Sequence, residues 1–364
     1  MIIGIDANEA NLTLNRVGIN EYAYNLLWAI SNLQSEHSFV IYLKTPVRPD
    51  LPLERSNWHY RVIPFPKMWN QTRLPGDLFF HHPRPDVFFS MTHYSPRFSP
   101  IPTVVSIMDL GFLKTPEQFT HKDYNQLKNW TSYSVKQAKK VVTISEFSKQ
   151  DIIKTYSKPA QDIVVTPLAC NPHITGPVHD AKVLKKFGIH KPYFLFLGSL
   201  KPSKNIENLI KAFALMDPNY QMVIAGKKAW LYEQIFQTTS ALGLQTRVVF
   251  TGFVEEREKP ALLTGSTAFV MPSFFEGFGI PALEAMVCQT PVVVSDVASL
   301  PEVAGEAGIY VKPDDINSIA SGMQIAISER AKYVKLGSDR VKLFSWTKTA
   351  QATLACLETA TINH

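Results

Sequence analysis

At 364 residues, with 45% apolar and 19% charged side chains, the chain is long enough to build two globular cores. The net charge of +6 is modest and spread over both halves without a dense basic stripe, which argues against nucleic acid as a partner. Three scattered cysteines, Cys170, Cys288 and Cys356, fit neither a disulfide framework nor a zinc site and suit a reducing compartment. The chain opens on a strand-like Met1–Ile5 followed by Asp6. No secretory signal precedes it, and no apolar run approaches the roughly eighteen residues of a membrane span, so a cytoplasmic location is expected. In Asn15-Arg-Val-Gly-Ile-Asn20 and the residues after it, Tyr22, Leu26, Leu27 and Ile30 recur at helical spacing, placing Gly18 at a helix start. Phe39–Leu43 reads as a strand.

Between Pro46 and Pro102 the chain is crowded with prolines and with the aromatics Trp58, Phe65, Trp69, Phe79 and Phe80. Leu78–His81 ends a helix and Asp86–Ser90 is a strand. Large apolar groups beside Lys67, Arg73 and Arg84 suggest an acceptor-docking or membrane-resting face, the alternative being that they pack beneath a long loop. Thr103–Met108 is a strand ending at Asp109, residues 122–140 form a helix, and Val141–Ile144 is a strand. Ser145 then caps a helix reaching Tyr156, and Ile163–Thr166 is the last strand of this half. Alternating elements of this kind imply a parallel sheet covered by helices on both faces.

Cys170–Val178 reads as a linker, after which the pattern restarts. Pro192–Gly198, Gln221–Ala225, Arg247–Thr251, Ala268–Met271 and Pro291–Ser295 are strands, and Ile206–Met216 is a helix. Ligands of such sheets bind beyond the carboxyl ends of strands, where the loop Ser199–Asn205 would lie; Lys204 there can reach a diphosphate as a point charge. The tail holds a capped helix over Ala350–Glu358.

The most informative stretch is Met271–Met286. Gly277 and Gly279 break a buried strand, and Pro281 suits the first turn of a helix, whose unpaired opening amides make an anion site. Glu276 falls on the loop and Glu284 about one turn into the helix. A carboxylate accepts two hydroxyls side by side, so phosphate on the amides and sugar on the acids describes a sugar nucleotide. The letters Gly277-x-Gly279-x-x-Ala282, with Asp296 as a later acid, also fit a dinucleotide fingerprint, but that motif normally opens the first βα unit of a fold. A P-loop is excluded by the missing Gly-x-x-x-x-Gly-Lys-Ser/Thr run. Without Asp-x-Asp or clustered histidines no metal is expected.

Taken together, these segments resemble the retaining glycosyltransferases of family 4. The residues that carry the likeness are Glu276-Gly-Phe-Gly-Ile-Pro-Ala-Leu-Glu284, Ser299-Leu-Pro-Glu-Val303, Gly198-Ser-Leu-Lys-Pro-Ser-Lys-Asn205, Phe250-Thr-Gly-Phe253, Ile144-Ser-Glu-Phe-Ser148 and the Gly18-Ile19 turn. The motif set looks most like that of bacterial mannosyltransferases. The resemblance implies an α/β chain with the GT-B fold, two Rossmann-like parallel-sheet domains facing a cleft. Residues 1–171 would form the acceptor-side domain and 172–345 the nucleotide-sugar-binding domain, with 346–364 a helix returning to the first.

It further implies a metal-independent hexosyltransferase with no cofactor, moving a sugar from a nucleotide-diphosphate donor to a cell-surface glycan or a lipid-linked precursor. Glu276 and Lys204 would be catalytic. Donor contacts would come from Glu284, Gly18, Ile19, Ser199, Phe253, Phe278, Gly279, Ile280 and Asp109, and acceptor-side contacts from His93, Trp69 and Arg73. The chain departs from the family pattern in three places. Met108-Asp109 stands where His-Asp is common, leaving His93 as a substitute; Ser199 and Ser203 stand where arginine is frequent; and the amino-terminal turn reads Gly-Ile-Asn-Glu. A sugar-nucleotide epimerase of the same fold and a non-catalytic sugar-nucleotide-binding protein are the competing readings. A peripheral contact with the inner face of the membrane is a further expectation.

Overall fold

The structure is a computed structural model that describes residues 1–13, 16, 18–229 and 231–361. Asn15 and Val17 of the amino-terminal turn therefore lie outside the described residues. The chain divides into two compact units: Met1–Leu168 together with Ser345–His364, and Ala169–Phe344.

The first unit is built on seven strands: β1 (Ile2–Asp6), β2 (Ser38–Leu43), β3 (Trp58–Val62), β4 (Val87–Ser90), β5 (Thr103–Ser106), β6 (Lys140–Thr143) and β7 (Ile163–Val165). They lie in the order β3-β2-β1-β4-β5-β6-β7, every pairing parallel. Helices cover the sheet, so its strands are near-continuous apolar runs; Ile3, Ile5, Phe88, Phe89, Val104, Val105, Val141 and Val142 have no exposed surface. The proline-rich stretch holds a strand that the sequence reading left as loop, β3, and its aromatics divide. Trp58 and Trp69 are interior, whereas Phe65, Phe79 and Phe80 are exposed.

The second unit carries β8 (Tyr193–Leu197), β9 (Gln221–Ala225), β10 (Val248–Gly252), β11 (Ala268–Met271), β12 (Val292–Ser295) and β13 (Gly308–Val311). Their order is β10-β9-β8-β11-β12-β13, again all parallel. Phe194, Phe196, Met222, Ile224, Val270 and Val293 on one face pack with Leu209, Ile210, Phe213, Ile319 and Met323 from two covering helices. In both sheets the order reverses once, between β1 and β4 and between β8 and β11. At such a switch point successive crossovers leave on opposite faces, and a crevice opens beyond the strand ends.

Candidate active site

In the second unit the two strands flanking the switch point are followed by the two loops singled out in the sequence. After β8 the chain runs through Gly198 and a single turn, Pro202–Lys204, into the helix Ile206–Phe213. Asn205 joins them in a left-handed conformation, φ 57°, and its side-chain amide donates to the carbonyls of Pro272 (2.9 Å) and Pro313 (2.7 Å). After β11 the loop turns at Gly279, φ 100°, into the helix Ile280–Val287, with Pro281 in the first turn. A Cβ on Gly279 would stand 2.7 Å from Leu300 Cδ2 and 3.1 Å from Met271 Cε, both ends of flexible side chains, so it is the positive φ that calls for glycine here.

These two loops bring Lys204 and Glu276 together. Lys204 Nζ lies 2.6 Å from Glu276 Oε1, with 18% and 11% of the two side chains exposed. The Ser273 hydroxyl donates to the same oxygen at 2.7 Å, and the Ser299 hydroxyl donates to the Glu276 carbonyl at 2.8 Å. Phe274 N–H donates to the Ser203 carbonyl (3.0 Å), tying one loop to the other. Glu284, in the second turn of its helix, is 2% exposed. Ile280 starts that helix, and the Phe278 ring is interior, edge-on to Phe344 at 5.9 Å between centroids, so Phe278 can offer a ligand only its main chain.

Ser199 is half-buried, at the end of β8. A Cβ on Gly226, just beyond β9, would fall 1.8 Å from the Gly198 carbonyl oxygen, so the ends of β8 and β9 meet without side chains between them. Phe253, beyond β10, is exposed and carries Lys227 Nζ 4.3 Å from its ring centroid. Ser273, Ser299 and Asn205 are not among the site residues expected from the sequence, although Ser299 and Asn205 lie in its motifs. The Ser-x-x-Glu spacing of Ser273 and Glu276, which resembles a capping box, was the one available signal for the first.

In the first unit, Gly18, φ 56°, is exposed and caps the helix Ile19–Asn32, with Ile19 half-buried in its first turn. Asp109, beyond β5, accepts the N–H of Gly111 at 2.7 Å. His93 follows the neighbouring strand β4; its Nδ1 lies 3.5 Å from Thr131 Oγ1. Burial pushes the His93 imidazole below its ordinary pKa, and the charge of Asp109 opposes that shift without cancelling it. Trp69 does not serve as an acceptor surface. It is 3% exposed, donates its indole N–H to the Ile63 carbonyl, and packs with Tyr42, Leu74, Leu78 and Phe88. Arg73 is solvent-accessible and stands 3.9 Å from Asp77, whose two oxygens are already held by Arg61.

Comparison with known proteins follows the same lines. The family description "Glycosyl transferases group 1" matches residues 181–340, which include both switch-point loops of the second unit. Over 288 residues the chain is 30% identical to O-antigen chain mannosyltransferase B of Escherichia coli, covering 76% of this chain and 73% of that protein. Among solved structures, sucrose-phosphate synthase of Thermosynechococcus elongatus superposes with a TM-score of 0.76 at 19% identity, over 98% of each chain. Anabaena Alr3699/HepE in complex with UDP-glucose gives 0.73 at 17%, over 98% of this chain and 99% of that one. At these identities the structural likeness is one of fold, and the fold is GT-B, as the sequence led one to expect.

Proposed function

The chain belongs to the group 1 glycosyl transferases, and from that premise we propose that it moves a hexose, mannose first, from a nucleotide-diphosphate sugar to a hydroxyl of a cell-surface glycan or its lipid-linked precursor. Transfer proceeds with retention and without a metal. The observation that carries this reading is the Lys204–Glu276 pair, which sets a cation and a carboxylate side by side at the switch point of the second sheet.

In this reading the opening amides of the helix Ile280–Val287 and the ammonium of Lys204 receive the diphosphate, whose charge grows as the anomeric C–O bond breaks. Glu276 accepts hydroxyls of the sugar and Glu284 those of the ribose, while Phe253 borders the base. The acceptor oxygen bonds to the anomeric carbon on the face the diphosphate leaves, and its proton passes to the departing phosphate oxygen. The epimerase reading is not favoured, because the family match and the curated relative are both transferases.

A binding panel of GDP, GDP-mannose, UDP, UDP-glucose and ADP, followed by thermal shift and calorimetry, tests the proposal. One nucleoside diphosphate and its sugar should bind. Glu284→Ala should weaken both by about 1–3 kcal/mol, because ribose hydroxyls lose their acceptor. Binding unaltered by that substitution, or no binding by any member, would defeat the reading.

A further inference from the structure

Glu276 is held by more than its lysine, and the second hold is of a different kind. We infer that Ser273 is a positioning residue for the transferred sugar: with Lys204 it occupies Oε1 of Glu276, so that Oε2 is the oxygen presented to a sugar hydroxyl. This inference rests on the function proposed above.

The geometry separates the two holds. Oε1 accepts from Lys204 Nζ at 2.6 Å and from Ser273 Oγ at 2.7 Å, and two donors on one oxygen fix the carboxylate plane. Lysine is a point charge on a flexible stem, and an arriving diphosphate competes for it. Ser273 has a short side chain and no exposed surface, so no phosphate reaches it. Its hydroxyl is therefore the hold that persists once the donor is bound.

Ser273 is itself anchored from every side. The Ser295 hydroxyl, at the end of β12, donates to the Ser273 carbonyl at 2.5 Å. Asn205 holds the carbonyl of the preceding Pro272, and the N–H of the following Phe274 is bonded to Ser203. The Ser299 hydroxyl fixes the main chain of Glu276 itself. Main chain and carboxylate are thus pinned separately, and among the described residues the Ser273 bond is the one that sets the orientation of the carboxylate without being open to competition from ligand.

The test measures the increment in affinity that the sugar adds, the Kd of GDP divided by that of GDP-mannose, or the UDP and UDP-glucose ratio if uridine is selected. In Ser273→Ala this ratio should fall about tenfold, the loss of one hydrogen bond to a charged group, while the affinity for the nucleoside diphosphate alone stays unchanged. Ser273→Thr, which keeps the hydroxyl, should restore most of it. Ser273→Cys, close to serine in volume and a weak donor, takes the place of alanine if circular dichroism shows that the alanine variant fails to fold. A ratio unchanged in Ser273→Ala while Glu276→Gln abolishes it overturns the positioning role and leaves the proposed function standing. Equal losses for diphosphate and sugar nucleotide also overturn it, since they report a structural effect. If Glu276→Gln leaves the ratio untouched, the reading of the site as a sugar-nucleotide site is what fails.

Discussion

His93 ends the turn that follows β4, and its half-buried imidazole has a folded pKa below the ordinary value near 6.5. The unfolded chain binds the proton more readily, so the stability tied to a neutral His93 is whole above about pH 6.5 and is lost as the pH falls below it, with a limiting slope of about 1.4 kcal/mol per pH unit. Urea unfolding at pH 7.5, 6 and 5 should show the unsubstituted chain losing more stability than His93→Asn across that range; parallel losses would remove His93 as the cause. Residues of this kind were legible from the sequence in proportion to how much of their role lies in their own chemistry. Glu276 and Glu284 could be proposed from their acids around a glycine turn and a helix start, and Lys204 from its motif. Ser273 and Asn205 act through main-chain carbonyls and a neighbouring carboxylate, which are brought to them only by the parallel sheet. Trp69 was misassigned because an aromatic in a proline-rich stretch does not declare which way it points.

At the scale of elements, the helix Arg73–Phe80 shows how one short segment divides its labour. Leu74 and Leu78 face the core and Asp77 is clamped by Arg61, whereas Phe79 and Phe80 project outward, Phe80 with 86% of its surface exposed. His81, His82 and Arg84 follow, all exposed. Phenyl rings beside the Arg84 guanidinium favour an anionic bilayer surface, a Lys or Arg adding about 1 kcal/mol near such a surface. The prediction is that the chain sediments with vesicles containing anionic lipid, and that Phe79→Ser with Phe80→Ser lowers the bound fraction about tenfold. Pelleting that ignores the double substitution would rule the contact out. Among the described residues no helix is long and apolar enough to cross a membrane. Two strands that escaped the sequence reading, β3 and β13, are edge strands. β3 mixes His59 and Arg61 with its aromatics because one margin meets solvent, and β13 carries a glycine and an exposed Tyr310. Interior strands, covered on both faces, had no such dilution.

The whole molecule is organised by a chain that leaves its first unit and comes back. Helix Trp346–Ala360 belongs to the first unit: its buried side chains include Trp346, Ala350, Leu354 and Leu357, and it packs against helix Ile19–Asn32 and against β6. The Thr349 hydroxyl donates to the Pro167 carbonyl at 2.5 Å, and His37 Nε2 lies 2.8 Å from Glu358 Oε1. Burial pushes the Cys356 thiol up to about 12, in keeping with a dry seam. Each large apolar side chain in such a seam is worth about 1.5–3 kcal/mol. Losing Trp346, Leu354 and Leu357 together should therefore remove more than about 4 kcal/mol, a large share of the 5–15 kcal/mol typical of a domain. A chain ending at Phe344 should show the first unit melting far earlier, or with no cooperative transition, while Ala169–Phe344 unfolds as before. If Lys204, Glu284 and the opening helix amides supply the main grip on the diphosphate, the nucleotide selected by the panel should still raise that second transition in calorimetry. Simultaneous collapse of both transitions would show instead that the second unit depends on the first for its stability.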